Sequence, residues 1–329
     1  MSVLVTGGAG YVGSHTAMEL IEKGYEVIII DNLEKGHEKA VLHEAKFYSG
    51  DLRDESFLHH VFEENNIEAV IHFAANSLVG ESVEDPLRYY ENNVYGSLKL
   101  LQTMKKHDVN TIVFSSTAAV YGEPQNIPIL ESDLTEPTNP YGETKLAVEK
   151  MMKWSAHAHG LKYNVLRYFN VAGAHMDGKL GEDHDPETHL IPIILQVALG
   201  KREKIYIFGD DYDTPDGTCI RDYIHVTDLA DAHILALENL KAGGESGAFN
   251  LGSGQGFSVK EVIETAREVT GKDIPAEVAP RRAGDPAKLV ASSQKAKELL
   301  GWNPRYENLQ DMIGSSWNWF QNHPSGYEE

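Results

Sequence analysis

A short apolar run, a glycine-rich turn and a helical pattern follow one another from Ser2 to Lys23, and this order constrains the fold more than any other feature. Residues 2–6 read Ser-Val-Leu-Val-Thr, which is typical of a buried strand. Gly7, Gly10 and Gly13 then stand three residues apart. Without side chains there, the backbone can approach a pyrophosphate that faces the helix N-terminus. The segment predicts a dinucleotide-binding strand–turn–helix unit.

A second strand is predicted at residues 26–30, and it ends at Asp31. In a dinucleotide-binding unit, an acidic residue about 20 positions beyond the glycines binds the ribose diol and repels a 2′-phosphate. Asp31 therefore favours NAD over NADP. The alternative is an ordinary turn after the strand, because Asp31-Asn32 suits a turn as well.

Strand and helix patterns keep alternating as far as Phe169-Asn170, which predicts an α/β fold with a doubly wound parallel sheet. Beyond this point the pattern is irregular and indicates a second, smaller, mixed α/β domain. We expect an NAD-binding Rossmann domain at residues 1–171 and a substrate domain at 172–329, with the chain crossing back near 220–245. The polar stretch 173–188 is typical of a loop, either a mobile surface segment or a ligand lid.

Tyr141 and Lys145 lie four residues apart where a helix is predicted to begin, with Asn139 as its cap and Pro140 at its first position. Side chains at this spacing share one helix face. An ammonium within about 4–6 Å lowers the pKa of a phenol, so Tyr141 is a candidate general acid or base. The alternative is an amphipathic helix with a surface lysine.

Charge and composition exclude several classes of function. The net charge of −21 disfavours nucleic-acid binding. A single cysteine, Cys219, excludes an internal disulfide framework and a cysteine-based zinc site. The histidines show no His-x-x-x-His pair or compact cluster with carboxylates, so no metal is expected. No apolar segment is long enough for a membrane span and no signal peptide is evident, so we expect a cytoplasmic protein.

Eight stretches together resemble the extended short-chain dehydrogenase/reductase family, and within it the nucleotide-sugar 4-epimerases. The resemblance covers nearly the full length of the chain. Its specific parts are Thr6–Gly13, Phe73–Ala75, Gly80–Ser82, Ser115–Gly122, Tyr141–Lys145, Arg167–Asn170, Arg221–Val226 and Arg281–Asp285.

The resemblance implies that bound NAD oxidises carbon 4 of a UDP-sugar to a 4-keto sugar and reduces it again, which interconverts UDP-glucose and UDP-galactose. It assigns Tyr141 as the catalytic base, Lys145 as the ligand of the nicotinamide ribose that lowers the Tyr141 pKa, and Thr117 as the bridging hydroxyl. It also implies a homodimer. The expected cofactor contacts are Gly7, Gly10, Tyr11, Val12, Gly13, Asp31, Asn32, Asp51, Leu52, Phe73, Ala74, Ala75, Asn93, Lys145, Tyr168 and Phe169. The expected substrate contacts are Thr117, Tyr141, Asn170, Arg221, Arg282, Asp285 and Leu289.

Two positions depart from the family pattern and one bears on substrate width. Ser77 stands where some relatives place a lysine against the cofactor, and His189 stands where relatives often have asparagine. Leu289 lies where relatives carry either a bulky aromatic residue, associated with exclusion of N-acetylated sugars, or a smaller one. Leu289 is of the smaller kind, which predicts that N-acetylated UDP-hexosamines are substrates as well. The alternative is that Leu289 packs against the domain core.

Two other functions remain open. A 4,6-dehydratase of the same family would carry Asp-Glu after the central threonine, whereas this chain has Ala118-Ala119. A non-catalytic dinucleotide sensor would have no reason to pair Tyr141 with Lys145.

Overall fold

The chain forms a large parallel sheet with helices on both faces, and a smaller mixed region is attached to one end of it. The computed structural model describes residues 1–282 and 285–328. Its strands are β1 (Ser2–Thr6), β2 (Glu26–Asp31), β3 (Lys46–Ser49), β4 (Ala69–His72), β5 (Thr111–Ser115), β6 (Lys162–Tyr168), β7 (Asn170–Ala172), β8 (Ile205–Phe208), β9 (Ile220–Arg221), β10 (Tyr223–His225), β11 (Gly247–Leu251), β12 (Phe257–Ser258), β13 (Ala276–Ala279) and β14 (Lys288–Leu289).

The helices connect these strands. They are α1 (Tyr11–Glu22), α2 (Glu55–Glu64), α3 (Val79–Glu84), α4 (Pro86–Tyr89), α5 (Gly96–Lys106), α6 (Pro140–His159), α7 (Leu190–Ala198), α8 (Val226–Lys241), α9 (Val259–Thr270), α10 (Gln294–Leu300) and α11 (Leu309–Asn322). Single 3₁₀ turns occupy Glu38–Ala40, Ala118–Tyr121 and Gly326–Glu328.

The large sheet has seven parallel strands in the order β11-β6-β5-β4-β1-β2-β3, which confirms the predicted doubly wound sheet. The strand order reverses at β1, which pairs with β2 on one side and β4 on the other. A crevice forms where neighbouring connections leave in opposite directions, at the carboxyl ends of the strands. The fold therefore places a binding site beside Thr6 and the glycine turn.

Alternate residues of the strands bury into two apolar layers, as the two-residue period of a strand requires. Val3 and Val5 face the layer that α1 and α8 cover, whereas Leu4 faces the layer covered by α2, α5 and α6. Both layers are nearly dry, which fixes the register of β1 and with it the position of the turn.

The smaller region has a separate apolar cluster between α7, α9 and α11, which includes Ile194, Ile263, Ile313 and Trp319. Strands β8 and β13 pair in parallel, and β9 lies between antiparallel β12 and parallel β14. This region is held together by short strands and loops rather than by one continuous sheet.

The chain returns to the large sheet after its first excursion. Helix α8 packs against α1, where Lys23 and Asp231 form an ion pair of 3.0 Å, and β11 becomes the seventh strand beside β6. Residues 226–251 therefore belong to the same layers as the N-terminal half. The division at residue 172 stays a prediction.

The helical stretch from Pro86 to Lys106 is not one continuous α-helix. A π-helical segment at Tyr90–Tyr95 separates α4 from α5 and contains Asn93. Such bulges are frequent at functional sites because they redirect single side chains. Within residues 1–282 and 285–328, no helix has the length and apolarity needed to cross a bilayer.

Candidate active site

The glycine turn is shaped for a ligand and not only for packing. Gly7 has φ of +70°, and a Cβ there would lie 2.6 Å from the Ala74 nitrogen. At Gly13 a Cβ would lie 2.1 Å from the Gly7 oxygen, so any side chain would separate α1 from the turn. Gly10 differs, because a Cβ there meets only the Gly7 oxygen, at 3.4 Å. Open space over Gly10 at the start of α1 fits the approach of a pyrophosphate.

Asp31 lies at the carboxyl end of β2, beside this turn. Its carboxylate accepts hydrogen bonds from the backbone nitrogens of Ala9 (3.0 Å) and Leu33 (2.9 Å). Burial raises the pKa of Asp31, and the two N–H donors oppose that rise. The carboxylate is thus held rigidly at the rim of the cavity, as recognition of a ribose diol requires.

Asp51 and Leu52 lie beyond β3 at the far end of the same cavity. The Arg53 guanidinium donates two hydrogen bonds to the Asp51 carboxylate, at 2.9 and 2.6 Å, and the Arg53 backbone nitrogen donates one at 2.8 Å. The Asn32 side chain donates a further one at 3.3 Å. The Arg53 hydrogen bonds lower the pKa of Asp51 to about 2. Leu52 is buried and offers an apolar surface.

Phe73, Ala74 and Ala75 follow β4 and line the cavity directly beside the glycine turn. Asn93 does not line the cavity itself. Its side chain accepts a hydrogen bond from the Asn76 nitrogen (2.8 Å) and donates to the Asn76 oxygen (3.0 Å). Asn93 thereby holds the backbone that follows Ala75, which is an indirect contribution to the cofactor pocket.

Helix α6 begins as the sequence predicts, and its first turn carries Tyr141. The Asn139 side chain accepts a hydrogen bond from the Gly142 nitrogen at 2.9 Å, and Pro140 is the first helical residue. Lys145 lies one turn later, with its Nζ 5.9 Å from the centre of the Tyr141 ring. The Lys145 ammonium donates to the Ser115 oxygen at 2.9 Å. Both side chains line the cavity.

The sequence predicts a lowered pKa for Tyr141, and this prediction is wrong when only the groups of the protein itself act on the phenol. Burial raises the pKa of Tyr141 to about 12, and a hydrogen bond with Thr117 offsets this only in part. Burial also lowers the pKa of Lys145 to about 7, although the Glu149 carboxylate raises it in part. The lowered pKa of Lys145 weakens the positive charge beside the phenol. Desolvation therefore outweighs the attraction that the four-residue spacing suggested.

Thr117 and Tyr168 complete this wall of the cavity. Thr117 caps the 3₁₀ turn by accepting a hydrogen bond from the Ala119 nitrogen at 3.1 Å. Tyr168, at the end of β6, shares a hydrogen bond of 2.5 Å with the Ser115 hydroxyl. Phe169 follows it and also lines the cavity. The ends of the adjacent strands β5 and β6, together with the start of α6, thus supply hydroxyls to one face.

A buried ion pair behind this face was not predicted from the sequence. Arg167 binds Glu149 through two hydrogen bonds of 3.0 and 2.5 Å, and it also donates to the Tyr121 hydroxyl at 2.9 Å. Ser116 donates to the same carboxylate at 2.6 Å. Since Glu149 lies one turn beyond Lys145, the network fixes α6 against the loop that carries Thr117.

The predicted substrate residues divide into two groups. Asn170 lines the cavity and donates to the Asp222 oxygen at 2.8 Å. Arg221 donates a hydrogen bond to the Pro286 oxygen at 2.9 Å. Its guanidinium also lies 3.4 Å from the Asp285 carboxylate, so the two residues form an ion pair in the smaller region. Among the described residues, Arg221, Arg282, Asp285 and Leu289 are not part of the cavity lining.

Arg282 and Leu289 have contacts of their own. The Arg282 guanidinium lies 3.9 Å from the centre of the Phe208 ring. Leu289 pairs with Arg221 between β14 and β9, and its side chain packs on the small cluster of Val120 and Tyr121 that follows Thr117. Ala283 and Gly284 lie outside the described residues. They belong to the stretch Arg281–Asp285, which is one part of the family resemblance.

The loop between β7 and α7 supplies a group that the sequence reading missed. Glu182, His184, Glu187 and His189 lie together, although no compact cluster of histidines and carboxylates was expected. The two carboxylates raise the pKa of His184 to about 9 and that of His189 to about 10, against the opposing effect of burial. In the sequence, the spacing Glu-x-His-x-x-Glu-x-His is the feature that could have indicated this cluster. A search for pairs four residues apart does not find it.

Comparisons with known proteins agree on one family. The family model described as "NAD dependent epimerase/dehydratase family" matches residues 3–252. A UDP-glucose 4-epimerase of Halalkalibacterium halodurans is 64% identical over 327 residues, covering 99% of this chain and 98% of that relative. A crystal structure of a UDP-glucose 4-epimerase superposes with a TM-score of 0.99 at 62% identity, covering all of both chains. The Bifidobacterium longum UDP-glucose 4-epimerase in complex with NAD⁺ and UDP has a TM-score of 0.93 at 44% identity, covering 99% of this chain and 100% of that one.

Proposed function

This chain belongs to the NAD dependent epimerase/dehydratase family, and from that premise we propose that it interconverts UDP-glucose and UDP-galactose. The observation that carries the proposal is the convergence of Tyr141, Thr117 and Lys145 on the cavity that begins at the glycine turn and Asp31. Full-length similarity to enzymes of this activity supports it.

Tyr141, Thr117 and Lys145 have different roles in the inversion of carbon 4 of the sugar. Tyr141 takes the proton of the sugar 4-hydroxyl and returns it after the 4-keto sugar has turned over, while Thr117 holds that oxygen and the phenol together. NAD held by the glycine turn and Asp31 would supply the hydride chemistry at carbon 4, and its positively charged ring would favour the phenolate. The Lys145 ammonium is held by the Ser115 oxygen at 2.9 Å, and it lies 5.9 Å from the centre of the Tyr141 ring.

The residues that fit the cofactor are those of the glycine turn, Asp31, and the backbone after β4. We infer that Asn170, Arg221, Arg282 and Asp285 hold the UDP moiety, because two guanidiniums suit a diphosphate and the chain has a net charge of −21. The UDP bound in the B. longum enzyme supports a nucleotide site in this family.

A 4,6-dehydratase is the second candidate, and the residues beside Thr117 argue against it. Elimination of water needs an acid next to the central threonine, and Ala118 and Ala119 begin the 3₁₀ turn there. We further propose a homodimer in the cytoplasm, with the division at residue 172, on the family resemblance.

The test is to incubate the purified full-length protein with UDP-galactose, without added NAD, and to separate the products by chromatography. We expect UDP-glucose to accumulate to an equilibrium mixture that is also reached from UDP-glucose. A 4-keto-6-deoxy sugar would identify a dehydratase. Absence of any product, also after NAD is added, would leave only a dinucleotide-binding role and would overturn the proposal.

A further inference from the structure

Four side chains of the loop between β7 and α7 form a compact group of potential metal ligands. One ligand atom from each of Glu182, His184, Glu187 and His189 lies within 4.8 Å of the others. The four come from eight consecutive residues, so the loop itself builds the group. His189 is the residue that directly precedes α7, so the group is connected to a regular element.

The four histidine–carboxylate distances within the group are compatible with tetrahedral coordination. The Nδ1 atom of His184 lies 3.1 Å from Glu182 and 3.6 Å from Glu187, and Nδ1 of His189 lies 3.0 and 2.9 Å from the same two carboxylates. Four ligands at about 2.0–2.1 Å from a tetrahedral ion are separated by roughly 3.3 Å. All four histidine–carboxylate separations therefore bracket the spacing of such a site.

Burial and unsatisfied hydrogen bonding provide an independent indication. The Glu182 side chain is only 3% exposed, and its Oε2 atom has no hydrogen-bond partner. A buried carboxylate oxygen without a partner is costly unless a ligand satisfies it. Glu187 is held by the backbone nitrogens of Thr188 and His189, both at 2.7 Å from its Oε1 atom. The His189 side chain is 43% exposed, which leaves an entry path for an ion.

We propose that Glu182, His184, Glu187 and His189 bind one divalent metal ion of the zinc class. Two imidazole nitrogens favour Zn²⁺ over Mg²⁺ or Ca²⁺, which prefer oxygen ligands. Two carboxylates balance the charge of a divalent cation. Because four protein ligands close the coordination shell, the ion is structural and does not act on the sugar.

The position of the group defines what the ion stabilises. Glu182, His184 and His189 line the same cavity as Asn170 and Tyr141. A bound ion would tie residues 182–189 to the start of α7 and so rigidify the part of the loop that walls the cavity. This inference does not depend on the proposed epimerisation, because binding of an ion is measured without substrate.

Zinc binding to the untagged full-length protein, stripped of metal by a chelator and desalted, tests the proposal. We titrate Zn²⁺ in competition with a chromogenic chelator and expect one ion per chain and a rise in melting temperature. We expect the double variant His184→Gln/His189→Gln to lose about 100-fold or more in affinity, because two of four ligands are gone. The matched control is His175→Gln, which changes a histidine of the same loop outside the group.

Each outcome supports or overturns the site. Loss of binding in His175→Gln, with the double variant unchanged, would place the ion on the neighbouring Glu19, Glu22 and His175 and overturn the proposal. Absence of binding by the parent protein would show that the histidines and carboxylates only pair with each other. Co²⁺ keeps the test independent of variant folding, because tetrahedral Co²⁺ absorbs strongly in the visible range. A weak octahedral spectrum would contradict the four-ligand site.

Discussion

The large sheet and the smaller region are built in different ways. On the sheet side, Tyr141, Lys145 and Thr117 lie on a helix start and a strand end, and a nearly dry ion pair between Arg167 and Glu149 holds them from behind. In the smaller region, called the loop side below, the ion pair of Arg281 and Asp211 is open to solvent, with side chains 45% and 73% exposed.

This difference separates chemistry from recognition. Proton transfer needs atoms held within a fraction of an ångström, and regular elements with buried polar networks provide that. Recognition of a nucleotide sugar tolerates adjustment of loops. Substitutions on the sheet side should therefore affect rate and stability, whereas those on the loop side should change selectivity.

The largest expected effect is on the sheet side. Tyr141→Phe removes one oxygen, and we expect kcat to fall by about 10²–10⁴-fold while the fold and NAD binding persist. The measurement is steady-state kinetics with UDP-galactose together with NAD content. Tyr206→Phe, an exposed tyrosine of β8 on the loop side, serves as the control and should stay within about twofold of the parent. Activity of Tyr141→Phe within about threefold of the parent would show that another group moves the proton.

A second prediction compares the two ion pairs by stability. Glu149→Gln leaves the buried Arg167 guanidinium without its carboxylate, and we expect the free energy of unfolding to fall by about 3–5 kcal/mol. Asp211→Asn breaks the exposed pair with Arg281, and we expect a loss below about 1 kcal/mol. Urea unfolding of both variants measures the difference. Equal losses in the free energy of unfolding would show that the buried Glu149–Arg167 pair stabilises the protein no more than the exposed pair does.

The sheet side was largely predictable from the sequence. The strand at Ser2, the glycine turn, Asp31 at the end of β2 and the capped start of α6 all follow from local patterns, since periodicity and capping are properties of neighbouring residues. Even there, the Tyr141 pKa was predicted in the wrong direction, because desolvation depends on which distant elements cover a residue.

The loop side could not be predicted to the same extent. The pairing of β9 with β12 and β14 joins segments far apart in the chain, and nothing local specifies it. On the sheet side, the bond between Glu149 and Arg167 was equally unpredictable, because it connects α6 to β6 across the core. The cluster of His184 and His189 with two carboxylates was visible as a spacing, yet its meaning required the fold of the loop.

Cofactor selectivity tests whether the rim of the sheet side is as rigid as its centre. We expect NAD to stabilise cofactor-stripped protein more than NADP does, because the rigid Asp31 carboxylate repels a 2′-phosphate. NAD at 100 times its Kd should contribute about 2.7 kcal/mol, visible as a rise in melting temperature, and NADP at the same concentration much less. Asp31→Asn keeps the shape without the charge and should narrow the gap. Equal stabilisation of the parent by both cofactors would contradict this role.

The smallest expected effect lies where the two sides meet, at Leu289. This residue of β14 packs on Val120 and Tyr121, directly after the Thr117 turn, so its size bears on the space beside the sugar. We predict that the parent uses UDP-N-acetylgalactosamine as well as UDP-galactose. In Leu289→Tyr the ring would compete with the acetamido group for space, at about 1–3 kcal/mol, which lowers relative kcat/KM for the acetylated sugar by roughly 5–150-fold.

Leu289→Met is the matched control, because it conserves volume and should leave the ratio of the two sugars within about threefold. The measurement is kcat/KM for both sugars in the parent and in both variants. If the parent rejects the acetylated sugar, or if Leu289→Tyr uses it as well as the parent does, Leu289 only packs against the core. In that case Leu289 does not determine which sugars the protein accepts, and the loop side contacts the sugar through other residues or not at all.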